Sequence, residues 1–101
     1  NMIDYLHRHQ VEHGHVDASR NWIPSCAMLT DTAASLLSVI ETQPAGLYHL
    51  EGNPGLSFFE IAEALNRLRG NPWTVVPTDA PVMNNRMRDD RVEVRSITES
   101  L

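Results

Sequence analysis

Ser57 and Glu60 stand three residues apart at the head of Ser57-Phe-Phe-Glu-Ile-Ala-Glu-Ala-Leu65, and no other feature constrains the fold as tightly. The spacing is that of a capping box, in which hydroxyl and carboxylate each bond a backbone N–H that the first helical turn leaves free. Phe58, Ile61, Leu65 and Leu68 follow at helical intervals and predict one buried stripe. Gly70 is a natural C-terminal cap, and Pro72 ends the element. Just upstream, Leu47 to Leu50 predict a short apolar strand and Glu51 to Leu56 a Gly-rich turn.

The flanking segments extend this alternation. Met2, Ile3 and Leu6 fall on one helical face, which predicts a short helix over residues 2–10. Residues 11–17 predict a strand interrupted by Gly14, and Pro24 marks a turn after Trp22-Ile23. From Thr30 the chain turns helical. Thr30 is a plausible N-cap, Asp31 suits the positive helix end, and Ala33, Leu36, Leu37 and Ile40 predict a buried face. Pro44-Ala-Gly46 ends that helix. Trp73 to Val76 predict another strand, and residues 77–90 are irregular, polar and arginine-rich. Val92 and Val94 alternate with charges, and residues 98–101 form a last helical turn. Helices alternating with strands predict an α/β layer. The strands are few and short, so the chain reads as one incomplete domain over residues 1–101 that packs against something it does not itself contain.

Composition narrows the partners. The net charge of −5 disfavours nucleic acid, whose phosphates call for a basic stripe. All 8 basic residues are arginine, and Arg67, Arg69, Arg86, Arg88 and Arg91 cluster late in the chain, where local anion contacts are conceivable. The single Cys26 rules out an intrachain disulfide and fits a reducing cytoplasm. No apolar run approaches the roughly 20 residues of a membrane span, and the polar, histidine-rich start is not a signal peptide. Asn1 rather than Met opens the chain, which suggests a processed chain or a piece of a longer one.

Four groups of residues have chemistry to offer. His13, His15 and Asp17 share one face if residues 13–17 are extended, and two imidazoles with a carboxylate suit zinc or iron; a solvated polar strand is the plainer reading. Cys26 precedes a helix, yet without an adjacent base it reads as a core thiol. Tyr48 and His49 point to opposite faces of a strand and cannot act as an acid–base pair. Arg20 beside Trp22, with Arg86, Arg88 and Arg91, could grip phosphate through planar forks, while Arg88-Asp-Asp-Arg91 could equally form surface ion pairs. No Gly-x-Gly-x-x-Gly, Walker motif, paired-carboxylate site or Gly-x-Ser-x-Gly elbow occurs.

Four segments in order carry a resemblance. They are Arg20-Asn-Trp-Ile-Pro-Ser25 leading to Asp31-Thr-Ala-Ala-Ser-Leu-Leu37, then Gly46-Leu-Tyr-His-Leu50, then Leu56-Ser-Phe-Phe-Glu-Ile-Ala62, and finally Val76-Pro-Thr through Asn85-Arg86 to Leu101. Together they resemble the C-terminal lobe of dTDP-4-dehydrorhamnose reductases and related NAD-dependent sugar epimerases and dehydratases, the extended short-chain dehydrogenase group. The resemblance implies a small substrate-binding lobe whose Rossmann domain, NAD or NADP and Tyr-x-x-x-Lys pair all lie outside this chain. It implies a nucleotide-sugar substrate, with Arg20 and Arg86 on phosphate, Trp22 shaping the pocket, and no catalytic or metal-binding residue within the chain. Two other readings stand beside it: a non-catalytic regulatory or interaction protein on the same scaffold, and a small histidine-based metal-binding module. Association with a second copy is left open.

Overall fold

The computed structural model describes residues 1–101. Helix α1 (Met2–His13) leads into strands β1 (Val16–Ser19) and β2 (Trp22–Ile23). Helices α2 (Leu29–Thr42) and α3 (Phe58–Leu68) follow, then β3 (Val75–Thr78), β4 (Met83–Asn84) and a 3-10 turn, η1 (Ile97–Glu99). It is a small mixed α/β domain with short parallel strands.

The strands form two parallel pairs, β1 with β3 and β2 with β4. Val16 faces Val75 and Ser19 faces Thr78; Trp22 faces Met83 and Ile23 faces Asn84. Parallel neighbours need a long crossover, and here α2 and α3 supply it. Only Arg20 and Asn21 separate β1 from β2, whereas Asp79 to Val82 separate β3 from β4, so the later connection is two residues longer.

One layer of core holds α1 and α3 against β1 and β3. Leu6, Val16, Ala18, Phe58, Ala62 and Trp73 are buried together, with Met2, Ile3, Trp22, Phe59, Leu65 and Val75 around them. Leu6, Val16 and Ala18 are fully enclosed. Trp73 ties the layer together. Its N–H donates to Asn66 Oδ1 at 2.9 Å, its carbonyl accepts from Asn66 Nδ2 at 2.9 Å, and its indole N–H donates to His7 Nδ1 at 3.0 Å.

The capping box forms as the residues predict: the Glu60 N–H donates to Ser57 Oγ and the Ser57 N–H to Glu60 Oε1, each at 3.1 Å. Phe58 and Ile61 are buried, but Leu68, the last of the stripe, is 60% exposed. The helix stops at Leu68, and Gly70 (φ +80°) turns the chain away in a left-handed conformation.

Other elements depart from expectation. Helix α1 runs on to His13, capped by Asn1, whose side chain accepts the Asp4 N–H at 2.9 Å. It ends where Gly14 (φ +74°) donates its N–H to the Gln10 carbonyl. The strand expected over 11–17 therefore begins only at Val16. Strand β3 starts at Val75 rather than Trp73, because the Trp73 backbone is already bonded to Asn66. Part of the stretch expected to be irregular forms β4, and the last turn falls at Ile97–Glu99.

Leu47 to Leu50 do not form a strand. Side chains take their backbone groups instead: Asp89 Oδ2 accepts the His49 N–H at 3.2 Å, and Arg91 Nη2 donates to the Leu47 carbonyl at 2.8 Å.

Helix α2 is the largest correction. It starts at Leu29, with Met28 rather than Thr30 at the cap position and no capping side chain. Its predicted buried face is bare: Leu36 is 49%, Leu37 57% and Ile40 69% exposed. The buried residue is Ser35, whose Oγ donates to the Glu93 carbonyl at 2.7 Å. The helix meets no other helix or strand along any substantial length. The molecule is accordingly elongated, 47 × 27 × 21 Å, with a radius of gyration of 15.1 Å. A compact chain of this length has about 13 Å. No helix is long and apolar enough to cross a membrane.

Candidate functional site

Two polar hollows flank the paired strands. The larger, about 630 Å³, lies between the turn after His49 and the late arginine loop. His49, Glu51 and Asn53 form one wall, and Asn84, Arg86, Arg88, Asp89, Asp90 and Glu93 contribute to the other.

Asn53 builds the first wall. Buried within the Asn-Pro-Gly turn, it donates from Nδ2 to the Pro24 and Leu56 carbonyls at 2.8 and 2.9 Å. Its Oδ1 accepts the Gly55 and Leu56 N–H groups at 3.1 and 2.8 Å. Glu51 Oε1 accepts the Asn53 N–H at 2.7 Å, while Glu51 Oε2 is buried without a partner. Gly52 lies so close to Ala27 and the Arg95 carbonyl that an added Cβ would meet atoms at 3.0–3.2 Å.

The opposite wall is organised by ion pairs. Arg88 Nε reaches Asp90 at 2.9 Å, and Arg91 Nη2 reaches Asp89 at 2.8 Å while its guanidinium sits 4.4 Å over the Tyr48 ring. The Arg91 hydrogen bonds hold the Asp89 carboxyl well below the usual carboxylate range, helped by the His49 N–H. Within the Arg88-Asp-Asp-Arg91 run, the Asp89–Arg91 pair clamps two loops, while Arg88 and Asp90 pair within one. Arg86 shares the cleft with Glu51 and Glu93. The cleft offers Arg86 to an anion and Glu51, Asn53 and Asn84 to hydroxyl or amide partners.

The predicted site residues are distributed unevenly. Arg86 lines this cleft and anchors itself by donating from Nη1 to the Pro54 carbonyl at 2.7 Å. Trp22 lines the second hollow, packs on Phe58 with ring centroids 5.0 Å apart, and donates its indole N–H to Asn85, the neighbour of Arg86. The β2–β4 pairing brings their segments side by side, but the two residues line different hollows. Arg20 lines neither hollow, and its Nε pairs with Asp79 at 3.0 Å.

The remaining candidates have structural explanations. Burial, then the Glu51 charge, pushes the Cys26 thiol up to about 11, far from the range of a nucleophile. Tyr48 donates to the Pro44 carbonyl and lines an apolar groove with Leu36 and Ile40, while His49 faces the polar cleft. His15 reaches Asp17 at 3.2 Å, but His13 belongs to α1 rather than to a shared strand. No three His, Cys, Asp or Glu side chains are grouped to hold a metal.

Sequence reasoning missed Glu51, Asn53 and Asn84. The Asn-Pro-Gly turn signature was the available signal for Asn53. No family model matches the chain, and neither a curated protein nor a solved structure matches it.

Proposed function

We propose that the chain is the C-terminal substrate-binding lobe of an NAD(P)-dependent sugar-nucleotide reductase or epimerase, working with a cofactor-holding Rossmann domain upstream of Asn1. The observation that carries this reading is the parallel pairing of β2 with β4. It sets Trp22 against Asn85, one residue from Arg86, at the edge of a polar cleft. In this reading Arg86 takes a phosphate, since only its Nη1 is committed to protein, at Pro54. Trp22 walls the second hollow on the other side of the β2–β4 pair, and the Glu51, Asn53 and Asn84 side of the cleft takes sugar hydroxyls. Arg20 joins only by exchanging Asp79 for phosphate.

The bare stripe of α2 supports the same reading. An apolar helix face of this width belongs against a second layer, and Leu36, Leu37 and Ile40 stay 49%, 57% and 69% exposed. Chemistry at the substrate would come from the cofactor and the partner domain, since neither cleft of this lobe pairs a nucleophile with a base.

The test is the protein encoded by the whole reading frame, assayed for NAD(P)H-dependent turnover of nucleotide-linked keto sugars. Arg86→Ala should raise KM about tenfold or more with little change in kcat. An unchanged KM removes Arg86 from the site. A frame lacking both the glycine-rich dinucleotide fingerprint and Tyr-x-x-x-Lys overturns the enzyme reading and leaves a non-catalytic interaction protein.

A further inference from the structure

The second hollow, about 480 Å³, is walled by rings on one face of α1: Tyr5, His9 and His13, spaced a helical turn apart. His15 and Asp17 close its far side. From the geometry of this face we infer that His9 and His13 form a two-imidazole site for a divalent transition-metal ion of the copper, nickel or zinc class. It is independent of the sugar-nucleotide reading.

Separation is the first argument. The two imidazole centroids lie 5.4 Å apart. Metal–nitrogen bonds of about 2 Å at a tetrahedral or square angle bring two coordinated rings to a centroid distance of about 5 Å. The pair needs only rotamer adjustment to share an ion.

Availability is the second argument. His7, on another face, is taken by the Trp73 indole at 3.0 Å. His15 has an acceptor beside each nitrogen, the His13 carbonyl 3.0 Å from Nδ1 and Asp17 3.2 Å from Nε2. His9 stacks on Tyr5 at 4.1 Å, and His13 has only the Glu12 carboxylate nearby, at 3.8 Å. The nitrogens of His9 and His13 are therefore the ones left for a ligand. Two protein ligands leave the other coordination positions to water.

His9-Gln-Val-Glu-His13 also has the inverted spacing found in some zinc hydrolases. Glu12 does not line the hollow, so the inference stops at metal binding.

Untagged chain, cleared of metal by a chelator, is titrated with Cu(II), Ni(II) and Zn(II) by calorimetry. The Cu(II) complex is also examined by electron paramagnetic resonance. One equivalent per chain is expected, with nitrogen hyperfine splitting from two imidazoles. His9→Gln and His13→Gln should each weaken binding about tenfold or more, while His7→Gln should leave it unchanged. Circular dichroism on each variant checks that α1 persists. Absence of stoichiometric binding, a copper spectrum without imidazole nitrogen, or equal loss in the His7 variant overturns the inference.

Discussion

Asp89 does the most at the scale of single residues. Its carboxylate accepts from Arg91 and from the His49 N–H, so one side chain fastens the 47–50 segment to the late loop. Because its folded pKa lies below the unfolded value near 3.9, the stabilisation is present above about pH 4 and is lost as pH falls toward the folded pKa. Asp89→Asn should therefore lower Tm at neutral pH, and the gap from the native chain should narrow below about pH 4. Thermal unfolding at several pH values measures this; a gap independent of pH would show that Asp89 acts without its charge. Cys26 offers a second test. With its thiol raised from 9.0 to about 11, the thiolate fraction at mildly alkaline pH drops about a hundredfold. Alkylation should be slower than for a free cysteine by a similar factor, read by mass spectrometry.

Among the elements, α3 and α2 make opposite cases. The α3 capping box is local chemistry, and Ser57→Ala should cost about 1 kcal/mol in denaturant unfolding. Leu6 on α1 is fully enclosed, so Leu6→Ala should cost about 2–5 kcal/mol, a large share of the stability of a domain this small. The α3 stripe was legible because its apolar spacing and both ends agree. The α2 stripe is just as clear in sequence, yet Leu37 and Ile40 lie open, because apolar spacing states which face seeks cover and not whether cover is present. The expected strand at Leu47–Leu50 failed for a different reason. Apolar content alone does not make a strand when side chains satisfy the backbone groups first.

Across the whole molecule, the uncovered α2 face sets the shape and the proposed role. Leu37→Glu with Ile40→Glu should leave Tm of the isolated chain within a few degrees, since neither side chain is enclosed. Light scattering should show less self-association than for the native chain. A large loss of Tm would mean that the face packs within the chain after all. If the proposed cofactor-holding domain covers this face, the same double substitution in the protein encoded by the whole reading frame should weaken its docking, read as increased protease sensitivity at the junction.

The amino-acid order by itself determined the capped helix α3, the left-handed exit at Gly70 and the mixed α/β character, because each depends on residues a few positions apart. It also singled out Arg20, Trp22 and Arg86 as binding candidates through the resemblance. Tertiary structure decided what those residues meet. The pairing of Trp22 with Met83 and Ile23 with Asn84 brings distant segments together, Asp79 holds Arg20 apart from both hollows, and His9 is left beside His13 as a pair. These outcomes depend on which long-range partners reach each group first, a competition settled by packing and hydrogen bonding across the chain rather than by local order.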